Sequence, residues 1–294
     1  MTATLLLLMR CAYRLPLPAM RAAGSLLSLV LWLLAGERRR VGAANLAACM
    51  PNLTDTQRSV LLKQTFRLFA QGLVDRAWLW HAPAARLRRL IRLSGTEHLR
   101  AAAGKPVVLL APHFVGLDAA WMRLTLDCRM ATMYANQKNE AFNQALIAGR
   151  CRFNDPILLS RQAGIREAFR AIRTGLPFYF LPDMDFGPRD AMFIPFFGIP
   201  AATVTSVSRI ARLSGAMVLP CVATLTGNGY EVVVHPPWTD YPGASIETDT
   251  RRMNAFVEEQ VRIAPAQYHW LHKRFKTRPP GAPPFYRNDT IPAK

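Results

Sequence analysis

The chain has 294 residues, with 37 Lys and Arg against 19 Asp and Glu, for a formal charge of +18. Hydrophobic residues at 51% and charged residues at 19% exclude a disordered or low-complexity chain. A mean hydropathy of +0.08 excludes a polytopic transporter. The positive excess is mostly arginine and suits phosphate-bearing or acidic partners: nucleic acid, anionic lipid or an acidic protein.

Residues 22–36 are uncharged and rich in Leu, bounded by Arg21 on one side and Glu37-Arg38-Arg39-Arg40 on the other. Fifteen residues fall short of the roughly 20 that a spanning helix needs. Extending back to Leu15 includes Arg21, which can snorkel to the headgroups. A tilted span, a helix lying in the interface, a signal peptide and a buried core helix all fit the pattern. No A-x-A-like cleavage site follows, so residues 1–40 are expected to be an uncleaved membrane anchor ahead of a domain over 41–294. Arginines on both flanks leave its orientation open.

Thr54 and Gln57 fit a capping box that opens a helix running toward Trp80. The run 86–92 alternates Arg with apolar residues, as a basic lip or a solvated face does. From about residue 97 the rhythm becomes alternating helix and strand. Gly104, Gly175 and Gly215 each close a helical run before apolar strands at 106–111, 177–181 and 216–220. Further strands are expected at 130–134 and 230–235, and helices at 117–126, 140–150, 162–174, 203–213 and 250–264. Continuous apolar strands need cover on both faces, so the pattern predicts an α/β domain with one mostly parallel or mixed sheet flanked by helices. The five cysteines are odd in number, widely spaced and without a C-x-x-C, which argues against a disulfide scaffold and a structural zinc site.

The sharpest motif is Pro112-His113-Phe114-Val115-Gly116-Leu117-Asp118, at a strand end that turns into a helix. Open α/β sheets put ligands there. His113 is a candidate general base, and Asp118, five residues on, could reach back to fix its tautomer. The pair alone is unspecific, because six histidines and 19 acidic residues give such spacings by chance. Pro182-Asp183-Met184-Asp185-Phe186-Gly187-Pro188 follows another strand and should lie near the first motif. Asp183 and Asp185 resemble half a metal site, but an Asp-capped turn is the preferred reading, and no metal is expected. The stretch 192–200 reads as an apolar, aromatic loop that packs on the core or lines an acyl slot. The run 267–281 interleaves Lys273, Arg274, Lys276 and Arg278 with Trp270 and Phe275. Such a run suits nucleic acid or a phosphorylated lipid headgroup.

Together with Asn45-Leu-Ala-Ala-Cys-Met-Pro51 and Thr277-Arg-Pro279, these motifs make the chain resemble the bacterial lipid A biosynthesis late acyltransferases, the lauroyl and myristoyl transferases. The phosphatidylinositol-mannoside acyltransferases look similar around the first motif, but the C-terminal run resembles the lipid A branch more. The resemblance covers nearly the whole chain and implies a glycerolipid-acyltransferase-like fold. It implies an enzyme on the cytoplasmic face of the bacterial inner membrane. That enzyme moves an acyl group from acyl carrier protein to a hydroxyl of a Kdo-bearing lipid A precursor. No cofactor and no nucleic acid are then expected. It makes His113 the base and Asp118 its partner, and brings Arg161 and Asp183 into the site. Asp185, Lys273, Arg274 and Lys276 are expected to bind the anionic acceptor. Acylation of another membrane lipid (a glycerolipid, ornithine lipid or mannoside) stays open, as does a basic binding module without catalysis.

Overall fold

Residues 107–110 are Val-Val-Leu-Leu, and all four are fully buried. Successive strand side chains point to opposite faces, so this run requires packing on both sides. The computed structural model describes residues 2–161 and 165–286 and supplies that packing.

Helices α1 (Thr2–Ala12), α2 (Leu17–Leu34), α3 (Gly36–Cys49), α4 (Asp55–His81) and α5 (Ala84–Leu90) precede strand β1 (Ile91–Ser94). Then come α6 (Thr96–Ala101), β2 (Val107–Leu110), α7 (Leu117–Thr125), β3 (Ala131–Tyr134), α8 (Glu140–Arg150) and β4 (Ile157–Ser160). They are followed by α9 (Ile165–Arg173), β5 (Phe178–Phe180), β6 (Ala191–Phe196), β7 (Ile199–Val204) and α10 (Ser206–Ser214). The last elements are β8 (Met217–Thr226), β9 (Gly229–Val234), α11 (Ile246–Ile263) and a short 3-10 turn at Pro265–Gln267.

The main sheet has the order β1-β9-β8-β2-β5-β3-β4. Only the β8–β9 pair is antiparallel among its neighbours, so the sheet is mixed. Val107 and Leu109 pack with Trp78, Trp121 and Met122 on one face. Val108 and Leu110 pack with Ile172, Ile210 and Met253 on the other. Each such side chain contributes about 1.5–3 kcal/mol on burial. The α/β layering expected from the apolar strands is therefore present, and β2 is its centre.

The five expected strands correspond to β2, β3, β5, β8 and β9. Gly104, Gly175 and Gly215 all have the left-handed backbone their role requires. Three expectations change. Part of the basic run at 86–92 enters the sheet as β1, parallel to β9. The stretch 192–200 is not a loop: β6 and β7 form an antiparallel hairpin whose turn residues, Phe197 and Gly198, both have positive φ. Because β7 runs to Val204, the helix expected at 203 starts at Ser206. The first residues of the helix expected at 162–174 lie outside the described residues.

Helix α4 begins with the expected capping box. The Gln57 N–H donates to Thr54 Oγ1 at 3.2 Å, and the Thr54 N–H donates to Gln57 Oε1 at 2.8 Å. At 27 residues it is about 40 Å long and borders both the sheet and the N-terminal helices. Among the described residues α2 is the one helix long and apolar enough to cross a membrane, by length and composition. Its Met20, Gly24 and Ser28 are buried. Arg21 pairs with Asp75 of α4, which also accepts from Trp78 Nε1 at 2.9 Å and from the Tyr230 hydroxyl at 2.7 Å.

Candidate active site

β2 and β5 are adjacent and parallel, with Leu110 opposite Phe180. The chains continue as Ala111-Pro112-His113 and Leu181-Pro182-Asp183. Proline cannot donate to a ladder, so both strands stop at the same level. His113 and Asp183 therefore meet at the carboxyl edge of the sheet. The His113 Nδ1–H donates to Asp183 Oδ1 at 2.6 Å, and the His113 backbone N–H donates to Oδ2 at 2.9 Å. The Asp183 side chain is 1% exposed and that of His113 is 17% exposed. Burial alone raises a carboxyl, but the His113 contacts and the Arg274 charge hold Asp183 below its ordinary value. Nδ1 is committed as a donor, so Nε2 carries the lone pair that can accept a proton.

The turn after His113 is clamped from two sides. The Val115 N–H donates to Gln267 O at 2.9 Å, and the His269 N–H donates to His113 O at 3.0 Å. The Gln267 side chain meanwhile bonds both backbone groups of Leu225, at 2.9 and 2.8 Å. Gly116 lies so close to β8 that a Cβ there would sit 2.5 Å from Ala223 O. Only glycine lets the chain turn against that carbonyl.

Asp118 does not reach His113. It accepts from Arg76 Nε at 3.0 Å and from Arg150 Nε at 3.0 Å, with a second contact from an Arg150 Nη. Helical geometry explains the correction. Asp118 is in the first turn of α7, where its side chain meets α4 and α8 instead of the strand end. Burial opposes its charge, yet the two guanidiniums pull the carboxyl down to about 2.

The other expected residues divide. Arg161 lies over the Phe186 ring at 4.2 Å and lines a cavity described below. Asp185 is turned away from His113: it accepts from the Thr277 N–H at 2.6 Å, from Thr277 Oγ1 at 2.9 Å and from the Gly187 N–H at 2.9 Å. It is the Asp-capped turn, and it staples this loop to the C-terminal run. The basic residues expected around Lys273 and Arg274 separate, one paired at the surface and one drawn inside. Lys273 pairs with Glu37 at 2.7 Å. Arg274 is 2% exposed and donates to Ala202 O and Thr203 Oγ1, both at 2.8 Å. Packing of the C-terminal run under the β6–β7 hairpin draws the guanidinium inward. Lys276 is exposed and lines neither cavity.

Two cavities meet at His113. The smaller, of about 290 Å³, is walled by Phe69, Gly72, Leu73, Phe114, Val115 and His269. The larger, of about 820 Å³, carries Arg76, Arg150, Arg161 and Arg189 with Trp121 and Phe142. Arg76, His113, Leu117, Asp118 and Met184 border both. Two reactants can thus approach one imidazole from different sides. Arg76 and Arg150 were not singled out in the sequence, since each lies more than 30 residues from the His113 motif on a different helix.

The chain matches the family described as bacterial lipid A biosynthesis acyltransferase over residues 2–277. It is 31% identical over 255 residues to the lipid A biosynthesis lauroyltransferase of Escherichia coli (strain K12), covering 85% of this chain and 83% of that one. The myristoyltransferase of the same organism is 30% identical over 262 residues, covering 87% and 81%. The crystal structure of the 1-acyl-sn-glycerophosphate acyltransferase PlsC from Thermotoga maritima aligns with a TM-score of 0.41 and 16% identity, covering 84% of this chain and 99% of that one. With a family match over nearly its whole length, this chain belongs to the bacterial lipid A biosynthesis acyltransferases.

Proposed function

We propose that the protein transfers a fatty acyl group from the thioester of acyl carrier protein to a hydroxyl of a Kdo-bearing lipid A precursor. The reaction takes place on the cytoplasmic face of the bacterial inner membrane. The observation that carries the reading is the His113 imidazole, oriented by Asp183, at the junction of two cavities, the larger lined by four arginines and the smaller by one. The smaller cavity, with Phe69, Leu73, Phe114 and Val115 in its wall, takes the transferring acyl chain. The larger one, with its four arginines, takes the phosphate- and carboxylate-bearing acceptor. The net charge of +18 favours encounter with an acidic carrier protein.

In the mechanism, the acceptor hydroxyl gives its proton to His113 Nε2 as its oxygen attacks the thioester carbonyl carbon. Asp183 stabilises the imidazolium through the Nδ1–H bond. The tetrahedral intermediate collapses with cleavage of the C–S bond, and the imidazolium returns its proton to the departing thiolate. Arg76 is the candidate donor to the oxyanion: Nε is its hydrogen-bonded atom among the described residues, which leaves both Nη groups for a ligand. Base catalysis of this kind is worth about 10²–10⁴-fold.

The test is the mass of lipid A from cells lacking the protein and resupplied with the wild type or with His113→Ala. One added acyl mass with the wild type alone supports the reading. Unchanged lipid A in every strain, with an acyl group missing from another membrane lipid, would replace the acceptor. Normal acylation by His113→Ala would remove the mechanism.

A further inference from the structure

Among the described residues the outer face of α2 has no protein partner. Leu26, Leu29, Val30, Leu33 and Leu34 are 49–80% exposed, on the side opposite the buried Met20, Gly24 and Ser28. Leu7 and Leu8 of α1 and Leu15 of the joining turn are exposed as well. A contiguous apolar face of this kind marks an interaction surface.

The inner face of α2 is fastened lengthwise to α4. Arg21 pairs with Asp75, and Gly24 packs against the Gln71 backbone so closely that a Cβ would sit 2.7 Å from Gln71 Cα. The Trp32 ring meets Phe66 edge-on at 5.2 Å, and Lys63 lies 5.9 Å from the Trp32 ring centre. From Arg21 to Trp32 the two helices run antiparallel for about 16 Å. A bilayer-spanning α2 would then have two options. It could carry α4 into the hydrocarbon with the exposed Lys63, Gln64 and Arg67, which is costly for charged groups. Or it could leave α4, stripping the buried Asp75 of its arginine.

We propose that α1 and α2 lie in the plane of the membrane, with the leucine face of α2 buried among acyl chains and α4 above it on the side of the domain. The occupant is an anionic lipid bilayer. Charge selects it: Arg10 and Arg14 just before α2, and Arg38 and Arg40 just after it, are exposed. Trp32, with Arg39 at 5.4 Å and Lys63 at 5.9 Å, forms the aromatic-cation pair typical of headgroup depth. The stretch of α4 that α2 covers, around Gln71, also supplies Phe69, Gly72 and Leu73 to the smaller cavity. The bilayer surface therefore runs beside the reaction site. This last link rests on the proposed acylation of a membrane lipid, whereas the docking itself does not.

The test uses the full-length chain and vesicles of equal parts phosphatidylethanolamine and phosphatidylglycerol. A Leu29→Glu/Leu33→Glu double variant should lose at least about tenfold in vesicle binding. Its thermal midpoint and its turnover of detergent-dispersed substrate should be unchanged. Flotation with vesicles equal to wild type overturns the proposal. Loss of turnover in detergent for wild type and variant alike would instead count against the functional reading. Orientation is read from two exposed native thiols, Cys11 of α1 and Cys151 after α8. In-plane binding lets an impermeant maleimide reach both from the same side of the membrane. Labelling of Cys11 only from the side opposite Cys151 means that α2 spans, and overturns it.

Discussion

His113 and Asp183 occupy equivalent positions on adjacent parallel strands, each three residues beyond the registered pair Leu110 and Phe180 and each preceded by proline. The sheet thus brings together two side chains 70 positions apart in sequence. Asp183 accepts from both the ring and the backbone of His113, so it fixes where the imidazole sits as well as which nitrogen is free.

This arrangement separates the two carboxylates by experiment. Asp183→Asn puts an amide NH2 against one of the two His113 donors and removes the charge that balances the imidazolium. Turnover should fall about 10²–10⁴-fold with a modest loss of stability. Asp118→Asn should act mainly on the fold, because Arg76 and Arg150 lose a buried counter-charge, a change worth about 3–5 kcal/mol. Steady-state kinetics and thermal melts of both variants check the contrast. Near-normal turnover in Asp183→Asn, with a stable but inactive Asp118→Asn, would return Asp118 to the role of His113 partner.

Arg76 borders both cavities while Asp118 holds only its Nε. Arg76→Gln should lower the single-turnover rate by about 10²–10³-fold, the range for loss of one oxyanion donor. Arg76→Lys should not restore it, since one ammonium cannot serve Asp118 and a ligand in the same fork geometry. A rate loss that vanishes at saturating acceptor would instead assign Arg76 to ground-state binding.

The sheet was legible in sequence because β2, β5 and β8 are continuous apolar runs that follow glycine-closed helices. The hairpin was not: Pro195 and Pro200 look like loop residues, yet they face each other in a two-stranded ribbon, where an edge proline needs no ladder partner. The place of His113 beyond the end of a central strand was legible. Its partner was misread because the nearest carboxylate in sequence, Asp118, lies on a helix, and strand register, which sequence does not display, selects Asp183. The C-terminal basic run misled for a similar reason. Arg274 looks like a surface cation, but its Nη groups satisfy the Ala202 carbonyl and the Thr203 hydroxyl inside the fold.

The His113 turn is also a source of acid sensitivity. Burial and the nearby His113 push His269 down to about 3 and His272 down to about 4. Both stay neutral in the folded chain at pH values where the unfolded chain binds a proton, below about 6.5. The unfolded state therefore gains protons first, and stability falls as pH drops. The slope is at most about 1.4 kcal/mol per pH unit for each histidine, from about pH 6.5 toward 4. Asp118 acts in the same direction in a lower window: its carboxyl is pulled down to about 2, so its contribution is lost only as pH falls below the ordinary carboxylate range. Urea unfolding between pH 7 and 5 should show the decline, and His269→Phe should flatten it. An unchanged slope in that variant would show that His269 is protonated without cost in the folded chain.

Gly72 offers a handle on the acyl chain. It is in α4 on the wall of the smaller cavity, and a Cβ there would meet Val115 Cγ1 at 2.9 Å. That neighbour is the end of a side chain, so Gly72→Val can be accommodated by pushing into the cavity, and losing a mid-helix glycine partly offsets the strain. The added methyls occupy part of a volume of only about 290 Å³. If the transferring chain lies there, donors longer by two methylenes lose about 1.6 kcal/mol of burial. Competition between 14- and 12-carbon donors should then shift about tenfold toward the shorter chain. Wild-type selectivity in a folded Gly72→Val enzyme would place the acyl chain in the larger cavity and exchange the two proposed binding sites.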